Sequence, residues 1–247
     1  MTLLIAILGL IVGSFLNAVI HRLHFLGSVV SGRSACPRCS HRLAARDLIP
    51  VLSFIWLSGR CRFCGREISW QYPLVEALTA GIFVLFYLKI GWRTELAPAM
   101  VFASTLIVIG VFDFKHYLIL DKVLLPLAAA AILWNFFGDS LVAGLVSGLG
   151  LALFFGLQYV LSRGRWIGLG DVKLGFVLGN ILPWPLSLCM LMLAYFSGAM
   201  TGVALVVFGK KQISSRLPFG SFLAFSAIIT MLWGDKIVAW YGGLIGL

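Results

Sequence analysis

The sequence predicts an all-α integral membrane protein with about eight transmembrane helices and a small cytoplasmic loop domain resembling a zinc ribbon. Three observations carry that prediction. The chain is 61% hydrophobic and only 11% charged, with a mean hydropathy of +1.03, whereas a soluble domain is about a quarter charged. Its apolar runs are too long and too unalternating for the strands of a membrane barrel. One polar break, 21–73, holds four of the five cysteines.

The elements follow in order. Residues 2–20 form the first span, with Gly9, Gly13 and Ser14 as a small-residue packing face and Asn17 as a helix-to-helix hydrogen bond. No basic segment precedes this stretch and no small-residue cleavage site follows it, so it reads as a first helix, not a removed signal. The polar loop runs over 21–73, and the remaining membrane domain over 74–247. Further spans are expected at 74–90, 97–112 and 122–137, then at 141–161 with Gly144, Gly148 and Gly150 on a packing face. A short segment from Asp171 to Pro183 is too brief for a normal span and suits a short or tilted helix. Spans at 185–208 and 218–234 complete the set, and the tail to Leu247 reads as an outer-interface segment. No internal repeat stands out.

Net charge is +10, which on a soluble chain would suggest nucleic acid. Here it is distributed as a topology signal. With the N-terminus outside, the inner loops 21–73, 113–122, 162–173 and 209–217 hold sixteen of the nineteen Lys and Arg residues. Contact with anionic lipid headgroups follows, and a nucleic-acid partner does not.

Cys36-Pro37-Arg38-Cys39 and Cys61-Arg62-Phe63-Cys64 are two Cys-x-x-Cys turns in the polar loop. Four thiolates from two turns suit one structural zinc. Two disulfides are the alternative, disfavoured because the arginine-rich loop faces the reducing cytoplasm. His41 reads as a solvated loop residue and Cys189 as packing.

Acids are costly at a membrane boundary and need a reason to be there. Asp171 follows Gly168-Leu169-Gly170, whose glycines let another backbone approach. Asp113 ends an earlier span and falls, by charge sidedness, at the same inner face. Two close carboxylates can divide one proton, one activating water while the other donates to a scissile carbonyl. The competing reading makes them interfacial ion pairs with Lys115, Lys122 or Lys173. Glu76, at the entry of the second span, is either a partner for the helix dipole or a group supporting the active site.

Taken in order, these motifs resemble the type IV prepilin peptidase family, bifunctional leader peptidases and N-methyltransferases of the GxGD type. The resemblance rests on Gly13-Ser14-Phe15-Leu16-Asn17 with Arg22-Leu23, the two cysteine pairs with Gly59, and Tyr72-Pro73-Leu74-Val75-Glu76. Phe112-Asp113 through Asp121, Gly168 to Leu174 and Pro218-Phe219-Gly220 continue it. It implies cleavage of type IV prepilins or pseudopilins after a glycine on the cytoplasmic side of the bacterial inner membrane. It also implies methylation of the new N-terminal amine with S-adenosylmethionine. It places catalysis on Asp113 and Asp171, support on Gly168, Gly170, Lys173, Asp121 and Glu76, and the methyltransferase link on Gly59 and the zinc-ligating Cys36, Cys39, Cys61 and Cys64. Two departures are visible. Leu120 replaces a proline before Asp121, and Ser221 replaces a common proline after Gly220. Neither is expected to touch the aspartate pair. A non-catalytic zinc-binding scaffold of a pilus or secretion machine is the alternative function, and an ion-relay transporter a more distant one. The substrate system and the oligomeric state are not legible.

Overall fold

The computed structural model describes residues 1–24, 34–209 and 217–245. Arg33 and the basic link at Lys210, Lys211 and Arg216 lie outside the described residues. The chain divides into two compact units, Met1–Val108 and from Ile109 onward. Among the described residues, six helices are long and apolar enough to cross a membrane.

In the first unit, α1 (Thr2–His24) packs along α3 (Gln71–Ile90). The reason lies in the α1 glycines. A Cβ on Gly9 would stand 2.5 Å from Ala80 Cα, and one on Gly13 would stand 2.7 Å from Glu76 Cα. Backbone meets backbone, which is how apolar helices gain contact area when lipid supplies no hydrophobic drive. Asn17 does bridge the pair. Its Nδ2 donates to the Tyr72 carbonyl at 3.0 Å and its Oδ1 accepts from Gln71 Nε2 at 3.1 Å, in a setting 2% exposed. The loop between carries a 3-10 turn at Ala45–Leu48 and the one-and-a-half-turn helix α2 (Leu52–Trp56). The unit closes with the first part of α4 (Leu96–His116).

The second unit begins in the last turns of α4 and adds α5 (Asp121–Phe137), α6 (Leu141–Ser162), α7 (Leu169–Ile181), α8 (Leu186–Val207) and α9 (Phe219–Ile245). Two of these fall short of a normal span. α5 has 17 residues and α7 has 13, about 26 and 20 Å of helix. The short α7 is held chiefly by α6. Gly148 on α6 meets Gly179 on α7 backbone to backbone, while Gly144 makes room for the Asn135 and Asn180 side chains and Gly175 for the Phe155 ring. A Cβ on Gly179 would lie 2.5 Å from the Ser147 carbonyl oxygen and 2.6 Å from Gly148 Cα and N. Gly150, expected on this face, has nothing within 4 Å of its Cβ position and takes no part. It lies two residues, 200°, around the helix from Gly148.

Polar groups stitch the same seam. Asn135 Nδ2 on α5 donates to the Asn180 carbonyl at 2.7 Å, and Ser140 Oγ donates to Asn135 Oδ1 at 3.1 Å. Asn180 Nδ2 donates to Phe176 O at 2.9 Å. The expected end of the last span at Gly234 is not observed. α9 continues through Gly234-Asp235-Lys236 to Ile245. No proline interrupts it, and side chains of Thr230 and Leu186 fill the space beside Gly234.

Candidate active site and metal centre

Asp113 occupies the last full turn of α4, which runs to His116, past the expected end of the span at 112. It is 5% exposed. Its Oδ2 accepts the Ser221 backbone N–H at 2.7 Å and lies 3.0 Å from Ser221 Oγ, itself 2.9 Å from the Gly110 carbonyl oxygen. The expectation that Ser221 does not touch the aspartate pair is therefore corrected. Pro218-Phe219-Gly220 starts α9 and delivers the Ser221 N–H onto Asp113, which a proline at 221 could not supply. Only a residue without a side chain fits before it. A Cβ on Gly220 would lie 3.1 Å from Asp113 Oδ2 and 2.8 Å from Ile119 Cδ1.

Asp171 stands in the first turn of α7, where a carboxylate suits the unpaired amides of a helix N-terminus. Its Oδ2 accepts the Gly168 N–H at 3.1 Å. Gly168 is the residue before the helix, extended at φ −86°, and its N–H would otherwise have no acceptor in the helix. Asp171 and Asp113 are flanked by glycines, Gly170 and Gly220, that meet the same side chain. Between their supporting glycines lies Ile119, in the α4–α5 link. A Cβ on Gly170 would approach its Cβ to 3.1 Å. The open side of the Gly-x-Gly-Asp turn is thus covered by this chain's own isoleucine, a contact with no motif to announce it.

Lys173 and Asp121 are brought together. Lys173 Nζ contacts both Asp121 oxygens, at 2.9 and 2.8 Å, with both side chains about half exposed. At that exposure the pair contributes about 0–1 kcal/mol. Its geometric effect is to tie the first turn of α5 to the first turn of α7. Asp171 and Lys173 therefore act on different partners, so the ion-pair alternative is met by Asp121 and not by either member of the pair. The Tyr195 hydroxyl of α8 donates to Gln158 Oε1 at 2.9 Å. Its ring stacks on Phe219 at 5.1 Å.

Glu76 belongs to the first unit, 7% exposed. Its Oε2 accepts the Val51 N–H at 2.8 Å, and the Ser14 hydroxyl also hydrogen-bonds it. Val51 has φ +60°, a conformation costly for a β-branched residue. Glu76 thus anchors the polar loop to α1 and α3.

In that loop the four cysteines converge. The Sγ atoms of Cys36, Cys39, Cys61 and Cys64 all lie within 4.8 Å of one another, and all are free thiols. Ideal tetrahedral zinc with bonds near 2.3 Å would put them about 3.8 Å apart, a small contraction from the observed set. The donors fit a closed structural zinc site. Backbone N–H groups of Cys64 and Phe63 pull the Cys61 thiol down to about 7, while burial and the neighbouring Cys36 and Cys64 thiols push Cys39 up to about 11.

The two turns are also an internal repeat that the sequence reading missed. Cys36 N donates to His41 O, Ser40 N to Cys36 O and Leu43 N to Ser34 O. Cys61 N donates to Arg66 O, Gly65 N to Cys61 O and Ile68 N to Gly59 O. The left-handed residues Ser40 and Gly65 correspond as well. Residues 34–43 and 59–68 share little beyond their cysteines, so only the hydrogen-bond pattern reveals it.

Gly59 begins the second repeat at φ +68°, with the Phe54 ring 3.1 Å from where a Cβ would be. Arg62 Nη2 pairs with the Asp47 carboxylate at 3.0 Å, tying this turn to the 3-10 segment. His41 is exposed, as the sequence suggests, and its ring packs on Phe63 at 3.5 Å across the two turns.

Comparison with known proteins gives the chain's family. Residues 7–90 match the model of the bacterial peptidase A24 N-terminal domain, and residues 100–203 match that of the type IV leader peptidase family. The chain is 33% identical to the prepilin leader peptidase/N-methyltransferase of Aeromonas salmonicida (strain A449), over 96% of this chain and 92% of that one. It is 36% identical to the protein of that name in Bacillus subtilis (strain 168), over 95% of each chain. With the one in Pseudomonas aeruginosa it shares 31%, over 95% of this chain and 91% of the relative. No solved structure matches. By these matches across both units, the chain belongs to the type IV leader peptidase family.

Proposed function

We propose that the chain removes the short basic leader from type IV prepilins or pseudopilins, cutting after a glycine, and then methylates the new N-terminal amine with S-adenosylmethionine. What supports the peptidase half is that one side chain, Ile119, meets both Gly170, the residue before Asp171, and Gly220, which packs against the Asp113 carboxylate. One carboxylate takes a proton from water as it attacks the scissile carbonyl. The other, protonated, donates to the carbonyl oxygen where negative charge develops. Gly168 and Gly170 shape the turn that carries Asp171, and Lys173 with Asp121 holds it in place.

The methyltransferase half is supported by the names of the relatives and by the resemblance that links Gly59 and the cysteine loop to it. Cys36, Cys39, Cys61 and Cys64 would hold zinc, which supplies fold stability to a loop with almost no core of its own. Glu76, anchoring Val51, acts by holding that loop against the α1–α3 pair. Metal analysis checks this reading. The natural chain is expected to carry stoichiometric zinc, and a chain with Cys36→Ser and Cys61→Ser to carry none.

For orientation we propose eight crossings, with α5 and α7 as short members, the N-terminus outside and the active site toward the cytoplasm of the bacterial inner membrane. The support is the sixteen of nineteen basic residues that this arrangement keeps inside. The experiment that tests the function incubates purified protein with a prepilin and S-adenosylmethionine and weighs the product. The expected product lacks the leader and carries one added methyl at its N-terminus. A shortened product without methyl would leave a peptidase alone, and an uncut substrate would refute the proposal.

A further inference from the structure

The environment of the two aspartates is unequal. Asp171 receives one backbone N–H, from Gly168. Asp113 receives two donors from one residue, both on Oδ2: the N–H of Ser221 at 2.7 Å and its hydroxyl at 3.0 Å. Among the described residues Oδ1 of Asp113 has no hydrogen-bond partner. Ser221 is itself 4% exposed, and its N–H, whose other acceptor is the Pro218 carbonyl at 3.3 Å, makes its short bond of 2.7 Å to the carboxylate. The hydroxyl has one hydrogen and two acceptors in reach, Asp113 Oδ2 and the Gly110 carbonyl oxygen at 2.9 Å. It can point to the carboxylate when Asp113 is charged and to the carbonyl when it is not. The residue therefore serves both protonation states without leaving a polar group unpaired. Ser221 also lies beyond residues 100–203, the part matched by the leader peptidase model.

Resting on the peptidase reading above, we propose that Ser221 is a positioning residue of the aspartate pair: its N–H and hydroxyl fix Oδ2 of Asp113 as an acceptor, leave Oδ1 for the reaction, and set the pH below which cleavage fails. Hydrogen bonds to a carboxylate favour its charged form. Removing them favours protonation, so the pair fills with protons at a higher pH and loses its base earlier as the solution is acidified. The other charged or titratable groups around the pair belong to different elements. By position along the chain they include Lys115, His116 and Tyr117 at the end of α4, Lys122 and the Asp121–Lys173 pair of α5 and α7, and Tyr195 of α8. The first turn of α9 brings no charged side chain of its own.

The test is the pH profile of prepilin cleavage by the full-length chain and three variants. Ser221→Ala keeps the N–H and loses the hydroxyl, Ser221→Pro loses both, and Ser221→Thr keeps both. The acid limb is expected to move up by about one pH unit in Ser221→Ala, further in Ser221→Pro, and to stay near the natural position in Ser221→Thr. On the limb itself that is about a tenfold loss for Ser221→Ala, with much less loss at the plateau. A purely structural role would instead lower cleavage equally at every pH. Ser221→Ala and Ser221→Thr decide the matter even if Ser221→Pro does not fold. An acid limb unmoved in Ser221→Ala overturns the inference while leaving the peptidase reading intact. Failure of the natural chain to cleave at any pH overturns both.

Discussion

Asp171→Asn is expected to abolish prepilin cleavage while leaving the protein folded, and Asp113→Asn to do the same. The amide is the right substitution because it keeps the oxygen that each site needs. At 171 it can still accept the Gly168 N–H, and at 113 it can still accept the Ser221 donors. What is lost is the ability to take and give a proton. General acid–base catalysis contributes roughly 10²–10⁴-fold for one group, and two groups acting as one unit lose nearly everything when either is changed. Cleavage should therefore fall by about 10³-fold or more in each single variant, and the double variant should be little worse than either. Thermal melting in detergent, unchanged within a few degrees, separates this outcome from misfolding. A single variant that still cleaves at a tenth of the natural rate would remove that aspartate from the chemistry.

The second large effect is expected eight residues from Asp171, where no chemistry occurs. Gly179→Ala adds one methyl group at a position 2.5–2.6 Å from backbone atoms of Ser147 and Gly148. A side chain in the way could turn aside, but a helix backbone can yield only by moving the whole element. Overpacking of this kind costs typically 1–3 kcal/mol. α7 must lift away from α6, and Asp171 moves with it, because it rides on the first turn of the same 13-residue helix. A displacement of about 1 Å can cost on the order of 10²-fold in rate. Melting temperature and cleavage should fall together, whereas the aspartate variants lose cleavage alone. Gly150→Ala, on the same α6 but facing open space, is the control and should change neither.

What the sequence could reveal follows from where each signal is written. Apolar runs and basic links locate helices because lipid imposes length and charge rules on every span. Asp113, Asp171 and the four cysteines were legible because each stands out chemically against an apolar or loop background. The Asp121–Lys173 pair was within reach too, since both residues had been named. Ser221 was visible only as a departure and was expected to be neutral, because its donors act through the fold and not through a spacing. Ile119 carries no chemical mark, and its place between Gly170 and Gly220 is decided by tertiary contact. Gly148 and Gly179 carry no mark that pairs them in sequence, and their close approach is decided by the packing of α7 on α6. The paired turns of the cysteine loop were hidden because backbone hydrogen bonds, and not side chains, repeat.

Those paired turns are alike in pattern and unequal in cost. At the same left-handed corner, the first has Ser40 and the second Gly65. A non-glycine residue there costs roughly 1–2 kcal/mol that glycine avoids. The second turn is further braced by the Arg62–Asp47 ion pair and by α2 just before it. Stripped of metal, the loop should therefore open from its first half, with the 59–68 half holding its shape as the template on which Cys36 and Cys39 close again. Loss of metal then becomes a stepwise, reversible fraying with a defined starting end.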